Sequence, residues 1–186
     1  IRDSEWKGTW IGGGQLLRKE FSVEKDVAEA RMYIAGLGYY ELRLNGVKVG
    51  DKALDPLWSE YDKTVYYSVY DVTDLIKKGS NVIAVMLGRG RYSQRFRKVK
   101  YYDEPKLLAM LRLVFRDGEV RYVYTDESWK CLDEGPIVDD DIYRGFKYDE
   151  RLEPYNWDKQ GFDDSGWRNC LKVSPPRGSL RSSTTI

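Results

Sequence analysis

Tyr40-Glu41-Leu42-Arg43-Leu44-Asn45-Gly46-Val47-Lys48-Val49-Gly50 is the stretch on which the reading of the fold turns. Tyr40, Leu42 and Leu44 alternate with Glu41, Arg43 and Asn45, the period-two pattern of a strand with one buried face. Asn45-Gly46 separates this run from a second short one, Val47 to Gly50. Asn-Gly accepts positive φ at both central positions, as a two-residue type I′ turn requires. The stretch therefore predicts a β-hairpin.

The same alternation continues on either side. Leu17 to Val23 reads as a strand with one wet face, and Ala30, Met32 and Ile34 fall on one face of a second strand over 28–37. A further strand runs through Val65, Tyr67 and Val69. Asn81 to Leu87 is apolar throughout after Asn81, which predicts a central strand buried on both faces. Leu107 to Phe115 and Val120 to Tyr124 are two more strands, joined by a turn at Arg116-Asp117-Gly118. Asp71 to Gly79, with an acidic start, a basic end and a terminal Gly, predicts a single helical turn. No internal repeat and no helix of three turns is evident. Short strands separated by turn residues indicate an all-β chain, a β-sandwich or jelly roll. Residues 1–170 are expected to form it, with an irregular Gly- and Trp-rich N-terminal arm whose Trp6 and Trp10 pack onto the body. Residues 171–186 are expected to be a linker and strand leading to a further domain, because Ser174-Pro175-Pro176-Arg177-Gly178-Ser179 is linker-like. The start at Ile1-Arg2-Asp3, with neither Met nor signal peptide, reads as a cut end.

A chain of 186 residues can bury one core without disulfide staples. Hydrophobic residues make up 41% and charged residues 33%, a globular balance. The 15 Tyr and 6 Trp against 5 Phe suit β-structure and surfaces that stack on flat ligands such as sugars. There is no His, which removes Ser-His and Cys-His nucleophile pairs, His general bases and His-ligated zinc. With 31 basic and 30 acidic residues the net charge is +1, so nucleic acid is not an expected partner. No apolar run is long enough to span a membrane. Cys131 and Cys170 make no CxxC motif and read as buried spectators rather than a disulfide, so the compartment stays open.

The motifs argue for binding rather than catalysis. Gly12-Gly13-Gly14 and Gly88-Arg89-Gly90 lack the strand–turn–helix context of a dinucleotide site. The acidic run Asp139-Asp140-Asp141 reads as a solvated turn, with a hard-cation site as its alternative. The segment Gly88 to Tyr102 interleaves Arg and Lys with Tyr. It is either a solvated loop or a ligand-facing one whose donors and rings suit sugar hydroxyls and sugar rings. No catalytic residue is assigned, and no cofactor is required.

Three segments together resemble a known family: Ala30 to Gly50, Tyr70 to Ile76 with Gly79 to Val85, and Ile142-Tyr143-Arg144-Gly145-Phe146-Lys147-Tyr148-Asp149-Glu150-Arg151. The first two are similar to the galactose-binding-like jelly rolls appended to many glycosidases. With Leu54 to Asp62 and the third segment, the chain resembles the N-terminal β-sandwich domain of bacterial α-L-rhamnosidases over residues 6–186. The resemblance implies a non-catalytic part of an inverting enzyme that hydrolyses terminal α-L-rhamnose. The catalytic carboxylates of that family lie on an α/α-toroid further along the chain. It also implies that the domain contacts a rhamnose-containing carbohydrate or only buttresses the toroid, and that its partners are the parent chain's catalytic and other β domains. In some members a calcium ion touches the bound sugar. The positions matched to that site are Asn45 and the loop starting at Arg91-Tyr92. The resulting candidates are Trp58, Tyr92 and Tyr143 for packing, Asn45 and Arg91 for hydroxyls, and Asn45 with Asp55 for calcium. Two departures stand out. The family's Gly-Trp-Tyr-Arg-Gly-like loop reads Gly90-Arg91-Tyr92-Ser93-Gln94 here, without the Trp. Its Tyr-Asp-Gly-Glu reads Tyr143-Arg144-Gly145-Phe146, without either carboxylate.

Overall fold

The computed structural model describes residues 1–95 and 101–183. Part of the basic loop, 96–100, and the last three residues of the tail lie outside the described residues. In chain order the strands are β1 (Ile11–Gly12), β2 (Leu16–Val23), β3 (Val27–Leu37), β4 (Tyr40–Leu44), β5 (Val47–Lys48), β6 (Thr64–Asp71), β7 (Gly79–Leu87) and β8 (Lys106–Phe115). They continue with β9 (Val120–Tyr124), β10 (Lys130–Leu132), β11 (Ile137–Asp141), β12 (Gly145–Tyr148), β13 (Arg168–Asn169), β14 (Leu171–Lys172) and β15 (Ser179–Ser182). The helical turn expected over 71–79 is a single 3-10 turn, Thr73–Leu75.

Two sheets face each other. One runs β14-β1-β8-β3-β6-β15, with β9 also paired to β8, and the other runs β13-β10-β2-β7-β4-β5. The long antiparallel registers are β3 on β8, from Val27 opposite Phe115 to Leu37 opposite Lys106, and β2 on β7, from Leu16 opposite Met86 to Val23 opposite Gly79. Alternation turns Ala30, Met32, Ile34, Leu107, Ala109, Leu111 and Leu113 of the first sheet against Leu42, Leu44, Ile83, Val85 and Leu87 of the second. This interior is the sandwich core.

Each sheet is also covered outside. Ala35, Leu37, Val65, Tyr67 and Leu108 meet Trp10, Tyr61 and Tyr92. Val82, Ala84 and Met86 on the far side of β7 lie under Trp157 and Trp167. β7 is thus buried on both faces, as its continuous apolar run predicts. Trp10 is buried, and Trp6 packs edge-on at 5.2 Å from Tyr67 and 6.3 Å from Tyr33. The irregular cover over β7 is pinned by the buried Arg18, whose guanidinium pairs with Asp164, donates to the Lys159 carbonyl at 3.2 Å and lies 5.4 Å from the Phe162 ring. Such a cation is tolerated because its two terminal nitrogens and its face are met, although its Nε has no hydrogen-bond partner.

Two segments differ from expectation. Residues 171–183, read as linker and strand, supply β14, antiparallel to β1, and β15, parallel to β6. Two strands of two and four residues are too short to show a period, so composition outweighed pairing in that reading. The Asp139-Asp140-Asp141 run is not a free turn. It ends β11, which among the described residues pairs only with β12 as a separate ribbon, and Asp141 is buried.

The β4–β5 turn has Asn45 at φ 54° and Gly46 at φ 81°, both in the left-handed region expected of type I′. Gly46→Val is therefore expected to cost about 1–2 kcal/mol. At this chain length that lowers Tm by roughly 2–8 °C. An unchanged Tm in a thermal melt would contradict the turn assignment.

Candidate functional site

The loop that leaves β7 is clamped to the sheet edge. Gly88 N–H donates to the Tyr39 carbonyl at 2.8 Å, and Arg89 N–H donates to Asp140 Oδ2 at 2.5 Å. A Cβ on Gly38 would sit 2.3 Å from the Arg89 carbonyl, so this close backbone approach requires glycine. The clamp directs Arg91 to the surface. Its guanidinium carbon lies 4.8 Å from the Trp58 ring centroid and 5.6 Å from that of Tyr143, and it donates a hydrogen bond to the Tyr143 hydroxyl. Trp58 and Tyr143 are 59% and 58% exposed. Three of the residues named from the sequence, Trp58, Arg91 and Tyr143, thus meet in one exposed stack.

Two buried carboxylates hold the outer members of that stack. Asp55 anchors the loop carrying Trp58. It accepts hydroxyl protons from Tyr40 at 2.6 Å, from Ser68 at 2.8 Å and from Tyr70. Burial, with the Asp55 charge and hydrogen bond added, pushes the Tyr40 phenol well above its ordinary value and Tyr70 up to about 12. Both phenols therefore remain donors to the carboxylate. Asp141 shapes the turn carrying Tyr143, accepting from the backbone N–H of Tyr143 at 2.8 Å and of Arg144 at 2.9 Å. Gln94 Nε2 and Arg144 Nε complete its partners, at 3.2 Å and 3.1 Å. Burial works to raise the Asp141 carboxyl, but these hydrogen bonds together hold it below its ordinary value.

The remaining candidates lie elsewhere. Tyr92 is 3% exposed, stacked on Tyr102 at 5.8 Å with Tyr61 edge-on at 5.2 Å. Its ring is core and offers no face to a ligand. Asn45, 8% exposed, is fully committed: Oδ1 accepts from Val82 N–H and Gln160 Nε2, both at 2.8 Å, and Nδ2 donates to the Leu75 carbonyl and Asn81 Oδ1. Asp55 is 2% exposed and already takes three hydroxyl protons. Asn45 and Asp55 also lie at opposite ends of β4, since the Asp55 carbonyl accepts from Tyr40 N–H at its start. Their oxygens do not fit a calcium ion, which needs six to eight converging oxygen ligands. Among the described residues, no three His, Cys, Asp or Glu side chains cluster as metal ligands.

A groove of about 570 Å³ has Tyr39, Leu54, Met86, Phe146 and Tyr148 in its lining. Sequence reasoning did not identify these residues as one surface. The available signal was Phe146 and Tyr148, which share a strand face at spacing two.

A depressed carboxyl contributes stability that is complete above its unfolded-state value and is lost as pH falls through its folded one. The Tyr143 and Arg144 amide resonances are therefore expected to hold from about pH 7 to about pH 5. They should move together only below the ordinary Asp value of 3.8. Joint movement near about pH 6 would contradict the Asp141 assignment.

The family described as "Alpha-L-rhamnosidase N-terminal domain" matches residues 25–185. An α-L-rhamnosidase of Formosa agariphila is 35% identical over 215 aligned residues, covering 100% of this chain and 23% of that protein. The structure of α-L-rhamnosidase from Dictyoglumus thermophilum superposes with TM-score 0.91 at 38% identity, covering 98% of this chain and 23% of the other. The Streptomyces avermitilis α-L-rhamnosidase complexed with L-rhamnose gives TM-score 0.85 at 33% identity, covering 92% and 17%. The chain thus spans less than a quarter of the length of these relatives. By this match along most of its length, the chain belongs to the α-L-rhamnosidase N-terminal domain family.

Proposed function

We propose that this chain is a non-catalytic accessory domain of an inverting α-L-rhamnosidase, and that it contacts a rhamnose-containing carbohydrate. The observation that carries this reading is the exposed stack of Trp58, Arg91 and Tyr143. Rhamnose carries a methyl group and an apolar ring face, which pack on aromatic rings, and hydroxyls, which accept from a guanidinium. Arg91 is held between two rings before any ligand arrives, so little side-chain entropy remains to be lost on binding. Catalysis would belong to other domains of the parent chain, its expected partners. Any calcium dependence would arise from oxygens other than those of Asn45 and Asp55.

A second reading, a domain that only buttresses the catalytic part, draws on a different observation. Leu54, Leu57, Val138 and Phe146 are exposed apolar side chains on the segments around the stack. Exposed apolar side chains of this kind also suit contact with a neighbouring domain.

An NMR titration with L-rhamnose, with and without calcium, tests the first reading. With a small sugar on an open site, Kd is expected near 1 mM, about 4 kcal/mol. About 20–50 mM L-rhamnose, well above that Kd, should shift the Trp58 indole N–H and the Arg91 and Tyr143 resonances. Trp58→Ala should weaken binding at least about fivefold, or ~1 kcal/mol. No shift at these residues would leave the buttress reading. In the same preparation an aryl α-L-rhamnoside should not turn over above the buffer blank, and turnover would overturn the non-catalytic assignment.

A further inference from the structure

The two cysteines, 39 positions apart in sequence, meet in the fold. Cys131 lies on β10, and Cys170 lies between β13 and β14, where the chain crosses from one sheet to the other. β10 pairs antiparallel with β13, with Cys131 opposite Arg168. Cys170 N–H extends this ladder by donating to the Trp129 carbonyl at 2.8 Å. In that register Cys131 and Cys170 are diagonal neighbours on one face of the ladder. Both belong to the buried interior between the sheets, and neither is in a disulfide. Cys131 Sγ donates to the Gly13 carbonyl oxygen at 3.6 Å.

The cover over Cys131 is thin. Gly14 approaches so closely that a Cβ on it would lie 3.2 Å from Cys131 Sγ. Gly13, Gly14, Asp133 and Arg168 line an open cleft of about 390 Å³ on the other side of that backbone. Cys131 thus packs directly against a glycine that itself lines the cleft. The neighbouring thiol, and then the Arg168 charge, favour the Cys131 thiolate against the effect of burial. Cys131 is also the cysteine directly behind Gly14, which lines the cleft, and this places it to meet an oxidant first.

We propose that Cys131 and Cys170 are an oxidisable dithiol that hydrogen peroxide converts to an intrachain disulfide across the sheet-to-sheet crossing. In the first step the Cys131 thiolate attacks one peroxide oxygen. An S–O bond forms, the O–O bond breaks, and hydroxide leaves as water after taking up the thiol proton. In the second step the Cys170 sulfur attacks the Cys131 sulfur of the sulfenic acid. An S–S bond forms, the S–O bond breaks, and the released hydroxide leaves as water with the Cys170 proton. In sum, two thiols are oxidised by two electrons and one hydrogen peroxide is reduced to two waters.

The test treats the 186-residue chain with hydrogen peroxide, blocks remaining thiols with an alkylating agent and reads intact mass, peptide mass and Tm. The expected result is a monomer about 2 Da lighter that resists alkylation, with a linked peptide pair containing Cys131 and Cys170. Because the cross-link closes a long loop, Tm should rise by roughly 5–15 °C and return on reduction with dithiothreitol. Addition of about 32 or 48 Da to either cysteine without the linked pair would overturn the proposal. A disulfide-linked dimer, or two thiols still fully alkylated, would also overturn it.

Discussion

The burial of β7 on both faces is the constraint from which the rest of the molecule follows. Ile83, Val85 and Leu87 face the interior between the sheets, and Val82, Ala84 and Met86 face outward under Trp157 and Trp167. Each such side chain taken out of water contributes on the order of 1.5–3 kcal/mol for the larger aliphatics. Left bare, the outer face would be an apolar patch on a sheet surface. The segment that covers it has almost no regular structure of its own, so the buried Arg18 holds it in place by pairing with the partly buried Asp164. That pair is costly to break one-sidedly, because an unmatched buried guanidinium would remain.

β7 also determines where the exposed aromatic stack can be. Its last residue delivers the chain to Gly88, and the hydrogen bonds from Gly88 and Arg89 to Tyr39 and Asp140 carry that rigidity to Arg91. The other two members arrive on loops that are anchored rather than packed. Asp55 gathers three hydroxyls beneath the Trp58 loop, and Asp141 gathers two backbone N–H groups beneath Tyr143. Carboxylates hidden in this way organise the surface and are not themselves available to a ligand. The same reasoning places Asn45 in the architecture rather than the site. Its amide joins the hairpin turn to β7 and to the 3-10 turn at Thr73–Leu75.

The strands could be read where local chemistry and tertiary demand agree. Asn45-Gly46 predicts its turn from backbone sterics alone, and the run Asn81 to Leu87 predicts two-sided burial because no polar residue interrupts it. The site was legible only in part. Trp58, Arg91 and Tyr143 could each be named, but their meeting depends on three separate loops. Tyr92 shows the limit most clearly. It follows Arg91 directly, yet it turns inward because Tyr61, from an earlier loop, and Tyr102, at the far end of its own loop, form its pocket. The Asp139-Asp140-Asp141 run looks solvated by composition, and only the fold supplies the backbone donors and side chains that take up Asp140 and Asp141. β14 is too short for any period to reveal it, and composition could suggest a strand near β15 but not its parallel pairing with β6.

Native-state hydrogen exchange tests the central role of β7 most directly. The β7 amides that pair with β2 and β4, from Ile83 to Leu87, should exchange only through global unfolding. Their opening free energies should equal the unfolding free energy from denaturant melts, while the β11–β12 ribbon, paired to no other strand among the described residues, should open at lower cost. β7 amides that exchange as readily as those of the ribbon would contradict the account.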